Sequence, residues 1–397
     1  MSGLTINDPV ELWQALLSSN VIPGDTLLLR AGTYPGNLTI NWSGSSGLPI
    51  TIKNYPGEQA TIDGGLTING SYIRVVGLEI KNSVVRDRTA TVGTTGFNCL
   101  SDHIELINNI IHDHDFGIIA GATKTGDVFY GNVIYFNGWT SNNGHGLYLQ
   151  NNDGNIKTAK RNIVFDNSAY GIHCWGSAGD VSDFVIDGNT CFENGAPSNQ
   201  YQDNIMNGNS SSFTSPRIFN NMTYNIDISE SSGLQVGYGV GNTALDVQVY
   251  DNYLANKGGA LSFLGASTSR FDGNTLIGTL EGAALGDNTQ QDNYPVTGSH
   301  IVLTDNEYDA NRAQLTIYNW SLADTVEVDV SAIYANGTEL QVHNVQDYFN
   351  DIQTLTVTAG VITVNMQAVN RTVAAPIGWA APATTFPQFG AFLLERL

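Results

Sequence analysis

Positive charge is what this sequence has least of. Only 16 Lys and Arg stand against 37 Asp and Glu in 397 residues, a net charge of −21. Nucleic acid and anionic membranes need a basic face to bind, so neither is expected as a partner. Bound cations and neutral glycans fit that balance, and an anionic substrate would need local Arg, Lys, amide or metal to offset the field. Charged residues of both signs make up only 13%, against 43 Gly and many Asn. Such a composition suits short strands joined by tight turns. Cysteine is scarce too: Cys99, Cys174 and Cys191 are too few for a disulfide framework and are expected to be buried free thiols. No run of 18 apolar residues exists, so no transmembrane helix is expected, and no signal peptide is visible.

What is present begins with an amphipathic pattern over residues 7–19. Asn7 or Asp8 can cap it, Pro9 suits the first helical position, and Val10, Trp13, Leu16 and Leu17 share one face. A helix here, within an N-terminal segment 1–24, would cover the open end of a sheet stack. Short β-branched runs follow, among them Ile50-Thr-Ile-Lys53 and Ala60-Thr-Ile-Asp63.

From residue 74 the chain repeats. Asn109, Asn132, Asn162, Asn189, Asn221, Asn252, Asn274 and Asn306 recur at 22 to 32 residues, with Gly77 in the place of Asn one unit earlier. Two positions beyond each Asn stands a usually apolar residue: Ile111, Ile134, Val164, Cys191, Thr223, Leu254, Leu276 and Tyr308. Each unit reads as strand, Asn turn, strand, loop, Gly turn, strand. Three short strands cannot bury their own apolar face, whereas stacked units close a continuous core. Asn tolerates the left-handed backbone of a bend, and stacked Asn side chains form an amide ladder. The pattern predicts an all-β chain: a right-handed parallel β-helix of about nine to eleven coils over 25–312. After that the text alternates with period two, as in Thr325-Val-Glu-Val-Asp-Val330, and Asn336-Gly337 marks a hairpin turn. Residues 313–397 are therefore expected to form a small antiparallel β-sandwich.

In register on the Gly turn, the position before Gly reads Phe116, His145, Tyr170, Asp203, Ser232. The outward position two beyond reads Ile119, Tyr148, His173, Met206, Gln235, followed at the next outward place by Gln150 and Trp175. Neighbouring strands lie about 4.8 Å apart, so Tyr148 should stack on His173 and His145 on Tyr170. His and Tyr suit proton transfer, so His145, Tyr148, Tyr170 and His173 are the catalytic candidates. Trp139, Asn143, Gln150, Trp175 and Asp203 are the substrate-binding candidates, with Trp139 on a long loop, 136–144, that would wall one side. Asp113, His114 and Asp115 form an acidic turn able to ligate calcium or a transition metal. A solvated polar face is the plain alternative for each of these groups.

Two reactions suit such a face. Glycoside hydrolysis needs two carboxyl groups about 5 to 9.5 Å apart. Asp115 and Asp203 fall three coils apart, roughly 14 Å at the strand spacing. Elimination on a uronic acid needs a base, an acid and a partner for the carboxylate, which the His/Tyr pairs and Gln150 can supply. The alternatives are a glycoside hydrolase on the same scaffold and a glycan-binding tailspike or adhesin without turnover.

The opening, Leu12-Trp-Gln-Ala-Leu-Leu17 and Ile22-Pro-Gly-Asp-Thr-Leu-Leu-Leu-Arg-Ala-Gly-Thr-Tyr34, resembles bacterial parallel β-helix proteins, among them polysaccharide lyases of the chondroitinase B and alginate lyase type. Leu48-Pro-Ile-Thr-Ile-Lys53 and Tyr72-Ile-Arg-Val-Val-Gly-Leu-Glu-Ile80 continue the likeness over about residues 10–310, and the same phrases occur in phage tailspikes. The resemblance implies a polysaccharide partner, a secreted, cell-surface or virion location, a monomer or trimer, and calcium as cofactor. The Lys base and Arg acid of those lyases have no counterpart by position: Lys160-Arg161, the one adjacent basic pair in the central region, precedes Asn162, away from the His/Tyr rungs.

Overall fold

A computed structural model describes residues 20–140, 143–151, 154, 156–176, 181–199, 202–225, 231–238, 243–282, 287–291 and 296–397. The helix expected over 7–19 lies outside them. The chain divides into two units, Met1–Gln290 and Gln291–Leu397. Among the described residues, no helix is long and apolar enough to cross a membrane.

The first unit is a stack of coils, most with three strands. One strand per coil contributes to a ten-stranded sheet: Leu38–Ile40, Leu66–Ile68, Thr95–Cys99, Phe116–Ala120, Leu147–Leu149, Ile172–Gly176, Ile205–Asn209, Ser232–Gly237, Gly259–Leu264 and Leu280–Glu281. Its neighbours pair parallel throughout the central coils. The remaining strands, two in most coils, join a second array of 21 strands. The inward column expected from the repeat pairs residue by residue: Ile111 with Ile134, Val164, Cys191, Thr223, Leu254 and Leu276 in turn. All seven are fully buried. The three cysteines are free thiols in this core, each with its pKa raised by burial.

The asparagines form an unbroken amide ladder. Asn162 shows the pattern. Its side-chain oxygen accepts from the Asn132 backbone N–H at 3.0 Å and the Asn132 amide at 2.9 Å, while its own amide donates to Phe129 O at 2.8 Å and to Asn189 Oδ1 at 2.9 Å. The residue before each ladder Asn from Asn109 to Asn274 is left-handed, with φ of 52 to 65° at Asn108, Gly131, Arg161, Gly188, Asn220, Asp251 and Gly273. Two expectations need correction here. The ladder runs from Asn274 to Asn288, not to Asn306. Asn306 lies in the second unit and accepts from the N–H groups of Tyr308 and Asp309. Gly77 occupies the left-handed place of Asn108, so Leu78 stands where Asn109 does one coil later, its N–H donating to Asn109 Oδ1 at 3.0 Å.

A second ladder, not anticipated from sequence, sits at the bend before the ten-stranded sheet: Asn137, Asn167, Asn194 and Asn204, each amide 2.9 Å from the next side-chain oxygen. It explains the glycines that open the sheet strands. Gly146 and Gly171 are not left-handed. A Cβ on Gly146 would lie 2.7 Å from Gly171 O and 3.0 Å from Asn167 Nδ2, and one on Gly171 would lie 2.6 Å from Asn194 Nδ2. Close approach to the ladder, rather than turn conformation, requires glycine there.

The second unit is antiparallel. Ser299–Asp305, Arg312–Asn319, Phe389–Arg396, Glu339–Asn344 and Ile352–Thr356 form one sheet in that order, and Thr325–Asp329 pairs with Val361–Asn365. Its core includes Leu315, Ile317, Val328, Val342, Phe392 and Leu394. It begins earlier than the expected boundary at 313, because Ser299–Asp305 pairs with Arg312–Asn319 rather than with the coils.

The ladder carries a stability prediction. Asn162→Ala leaves two donors on Asn132 and the Phe129 carbonyl buried without partners, at about 1–3 kcal/mol per buried group. Denaturant unfolding should show a loss on the order of 3 kcal/mol, and a loss below about 0.5 kcal/mol, the usual range for surface changes, would show that the ladder contributes nothing.

Candidate active site

The rings meet as the register requires. Tyr148 is the strand partner of His173, and the Gly146 N–H donates to Tyr170 O at 3.0 Å, which sets His145 beside Tyr170. The ring centroids of Tyr170 and His173 are 4.1 Å apart and stacked, and those of His145 and His173 are 4.2 Å apart and edge-on. Tyr148 lies 5.5 Å from His173 and 5.5 Å from His145. Trp175 continues the stack 6.0 Å beyond His173. Gln150 donates its amide to Trp175 O at 3.0 Å, next to Tyr148.

Phe116 links this cluster to the loop over 136–144, lying 5.7 Å from His145 and 5.7 Å from Trp139. Trp139 thus walls one end. Asn143 on the same loop is exposed, and its backbone carbonyl accepts from the Ser168 hydroxyl at 3.0 Å. Two participants escaped the sequence reading. Phe116 occupied the aligned position but was given no role, and Tyr238 packs edge-on to Trp175 at 4.6 Å.

Burial decides the electrostatics. His145 is 2% exposed and His173 8%, and in each ring Nδ1 is buried without a hydrogen-bond partner. Desolvation disfavours the imidazolium. It pulls His145 down to about 3, and His173, with His145 as a second cause, well below its ordinary value. Both are neutral at physiological pH. Tyr170 is raised by burial, with Asp203 and Tyr238 adding to it, and stays protonated. Asp203 is pushed up to about 7 by burial, against the Ser232 N–H that donates to it at 2.7 Å. The outward positions of the strands Phe116–Ala120, Leu147–Leu149, Ile172–Gly176 and Ile205–Asn209 include no Lys or Arg.

The acidic turn is not part of this face. Arg86 pairs with Asp115 at 2.6 Å, and Asp115 also accepts from the N–H groups of Val92, Gly93 and Thr94. Arg88 pairs with Asp113. His112 bridges Asp113 at 2.8 Å and Glu79 at 3.2 Å; burial pulls it down, but the two carboxylates hold it up at about 8. His114 is fully buried and drops to about 3 by desolvation. The carboxylates expected to ligate a metal at Asp113 and Asp115 are thus engaged by arginines and backbone, and His114 between them is fully buried. Among the described residues no group of three or more His, Cys, Asp or Glu is placed to hold a metal ion. The signal that could have revealed this was the spacing itself, since Arg86-x-Arg88 matches Asp113-x-Asp115. Lys160 and Arg161 belong to the other array, where Lys160 pairs with Asp187 at 3.3 Å and Arg161 reaches the Tyr130 hydroxyl at 3.1 Å.

The coil stack, its two asparagine ladders and the parallel ten-stranded sheet define the first unit as a parallel β-helix, of the right-handed sense that parallel crossovers adopt. Among solved structures the chain is similar to the pectate lyase Pel9A, with a TM-score of 0.51 and 19% identity over 68% of this chain and 76% of that one. An alginate lyase from Paenibacillus sp. str. FPU-7 aligns with a TM-score of 0.44 and 20% identity over 70% of this chain and 95% of its own. The Dettilon tailspike protein aligns with a TM-score of 0.40 and 13% identity over 94% of this chain and 86% of its own. At these identities the likeness is one of fold. The uncharacterized protein YwoF of Bacillus subtilis (strain 168) is 31% identical over 106 residues, spanning 24% of this chain and 23% of that protein. No known family profile matches.

The depressed histidines give a pH prediction with a definite sign. Below the ordinary pKa of 6.5 the unfolded state takes up a proton that folded His145 refuses until about 3. Stability contributed by neutral His145 is thus present above pH 6.5 and lost as the pH falls, by about 2 kcal/mol at pH 5. His145→Gln should remove that share. Urea unfolding of both proteins at pH 7 and pH 5 tests it: parallel losses in the two would show that His145 is not desolvated.

Proposed function

We propose that this protein is an extracellular polysaccharide lyase that cleaves a uronate-containing glycan by β-elimination on the His/Tyr face. The observation that carries the reading is the neutral His173, its Nδ1 buried without a partner, stacked 4.1 Å from a Tyr170 held in its protonated form. A neutral imidazole is the form that can accept the proton at C5 of the uronate. A uronate carboxylate brought against the ring supplies the counter-charge that burial withholds, which raises the basicity of His173 in the complex. Tyr170 then donates to the leaving glycosidic oxygen. The C5–H bond breaks, the C4–O bond breaks, and a double bond forms between the two carbons. His145 and Tyr148 flank the exchange, Gln150 offers an amide to the carboxylate, and Trp139 and Trp175 present flat faces to sugar rings. The polysaccharide lyases among the solved structures of similar fold support the glycan reading but not the residue roles, since function lies in the site rather than the fold.

A second reading, glycan binding without turnover as in a tailspike or adhesin, is favoured by one observation: no Lys or Arg stands at the outward positions of Phe116–Ala120, Leu147–Leu149, Ile172–Gly176 and Ile205–Asn209 to offset a uronate carboxylate. A glycoside hydrolase is the remaining alternative.

Incubation with polygalacturonate or alginate separates the three. Elimination produces the ultraviolet absorbance of a conjugated, unsaturated sugar; hydrolysis gives reducing ends without it; binding alone gives neither. Tyr170→Phe should lower kcat by about 10²–10⁴, the usual weight of one general acid, with the melting temperature unchanged. Full activity in Tyr170→Phe would remove Tyr170 from the mechanism.

Asp203 adds a pH signature. It is protonated below about 7 and ionised above it, beside the proposed uronate site. KM for an anionic glycan should rise as the pH passes through 7, and Asp203→Asn should flatten that rise. The same rise in the variant would place the titrating group elsewhere.

A further inference from the structure

The segment 82–94 is a long insertion between the strands Glu79–Lys81 and Thr95–Cys99. It carries Arg88, one of the largest fully buried side chains of the protein, at 0% exposure and with a left-handed φ of 61°. Burying a guanidinium is costly unless its donors are matched. Here they are matched by the loop that walls the active site. Arg88 Nη1 donates to Phe136 O at 2.8 Å and to Gly138 O at 2.8 Å, and Nη2 pairs with Asp113. In the other direction the Thr140 N–H donates to Arg88 O at 2.7 Å. Desolvation lowers the guanidinium to about 10, against Asp113, so it remains charged at neutral pH.

Trp139 lies between two of those anchored residues, Gly138 and Thr140. The backbone around it is unusual, with φ of 55° at Phe136 and 110° at Gly138. Such a path persists only where its surroundings hold it. The insertion itself is held at a second point, where Asp115 takes Arg86 and the Val92, Gly93 and Thr94 N–H groups. Two arginines thus tie a surface strap to the bend beneath it, and the strap in turn holds the Trp139 wall against Phe116.

We propose that Arg88 is a positioning residue for sugar binding: it fixes Trp139 as the stacking platform at one end of the His/Tyr face, so that a pyranose ring packs its flat face there. The proposal rests on the glycan reading of the site. Arg88 does not touch the sugar. Its planar fork serves two carbonyls and a carboxylate at once, which the single ammonium of lysine does not reproduce.

The test uses the full chain and two readouts. The first is acrylamide quenching of Trp139 fluorescence, taken as the difference between each protein and the same protein carrying Trp139→Phe. Arg88→Lys should increase quenching of Trp139, and Asp113→Asn, which keeps the shape of the group that Arg88 Nη2 pairs with but removes its charge, should do so as well. The second readout is kinetics on polygalacturonate or alginate. KM should rise by about tenfold in Arg88→Lys, equivalent to about 1.4 kcal/mol, with kcat changed far less. If Arg88→Lys does not fold, Asp113→Asn decides the matter. Unchanged quenching in the folded variants overturns the proposal, as does a fall in kcat with KM constant. If the wild-type protein neither binds nor cleaves either glycan, the proposal falls as a statement about sugar binding, while increased quenching would show separately that Arg88 holds the loop.

Discussion

The asparagine ladder is the constraint on which everything else in the first unit depends. A parallel coil must reverse direction several times per turn, and each bend leaves backbone groups that the sheets cannot satisfy. A buried Asn at the bend takes the N–H of one coil, donates to a carbonyl and joins the next Asn in the stack. Repeated from Asn109 to Asn288, that arrangement locks each coil in that range to the next at one angle. The second ladder, Asn137 to Asn204, does the same at the bend that leads into the ten-stranded sheet. Glycines at the start of those strands lie against it because nothing larger fits. The placement of His145 against Tyr170, and of Tyr148 against His173, follows from that register.

The protein separates its charge from its chemistry. It is strongly acidic overall, yet the central strands of the proposed active face hold no carboxyl group, and Asp203, just before Ile205–Asn209, lies in an environment that favours its neutral form. The histidines are neutral for the same reason, burial among aromatic rings. The carboxylates that could have formed a cation site, Asp113 and Asp115, are instead spent on Arg86 and Arg88. Ionic interactions shape the wall and the bend, while the face itself is aromatic and amide in character. A face of that kind differs from the Lys, Arg and calcium arrangement that the sequence resemblance implied.

Much of the architecture was legible because a stacked repeat writes its contacts at a fixed interval. The period of the Asn positions yielded the coils, and the residues two places beyond yielded the buried column, with every pairing from Ile111 to Leu276 as expected. The aligned outward positions yielded the ring pairs. Legibility ended where spacing became irregular. Asn288 follows Asn274 by a short interval, so Asn306 at the usual interval was the natural but mistaken continuation. The second ladder was hidden because Asn194 and Asn204 are separated by only ten residues while the other gaps are much longer.

Sequence by itself therefore determined the repeat, the core and the face on which the His, Tyr and Trp side chains gather, since strand alternation and coil stacking leave those positions no other place. Only the tertiary structure decided what the groups are. It desolvated His145 and His173 into neutral rings, lifted Asp203 towards neutral pH, and paired the acidic turn with an arginine strap from an insertion that has no place in the repeat. Those outcomes depend on how much water is excluded and on which donors arrive from distant segments. Neither quantity is encoded in the spacing of residues along the chain.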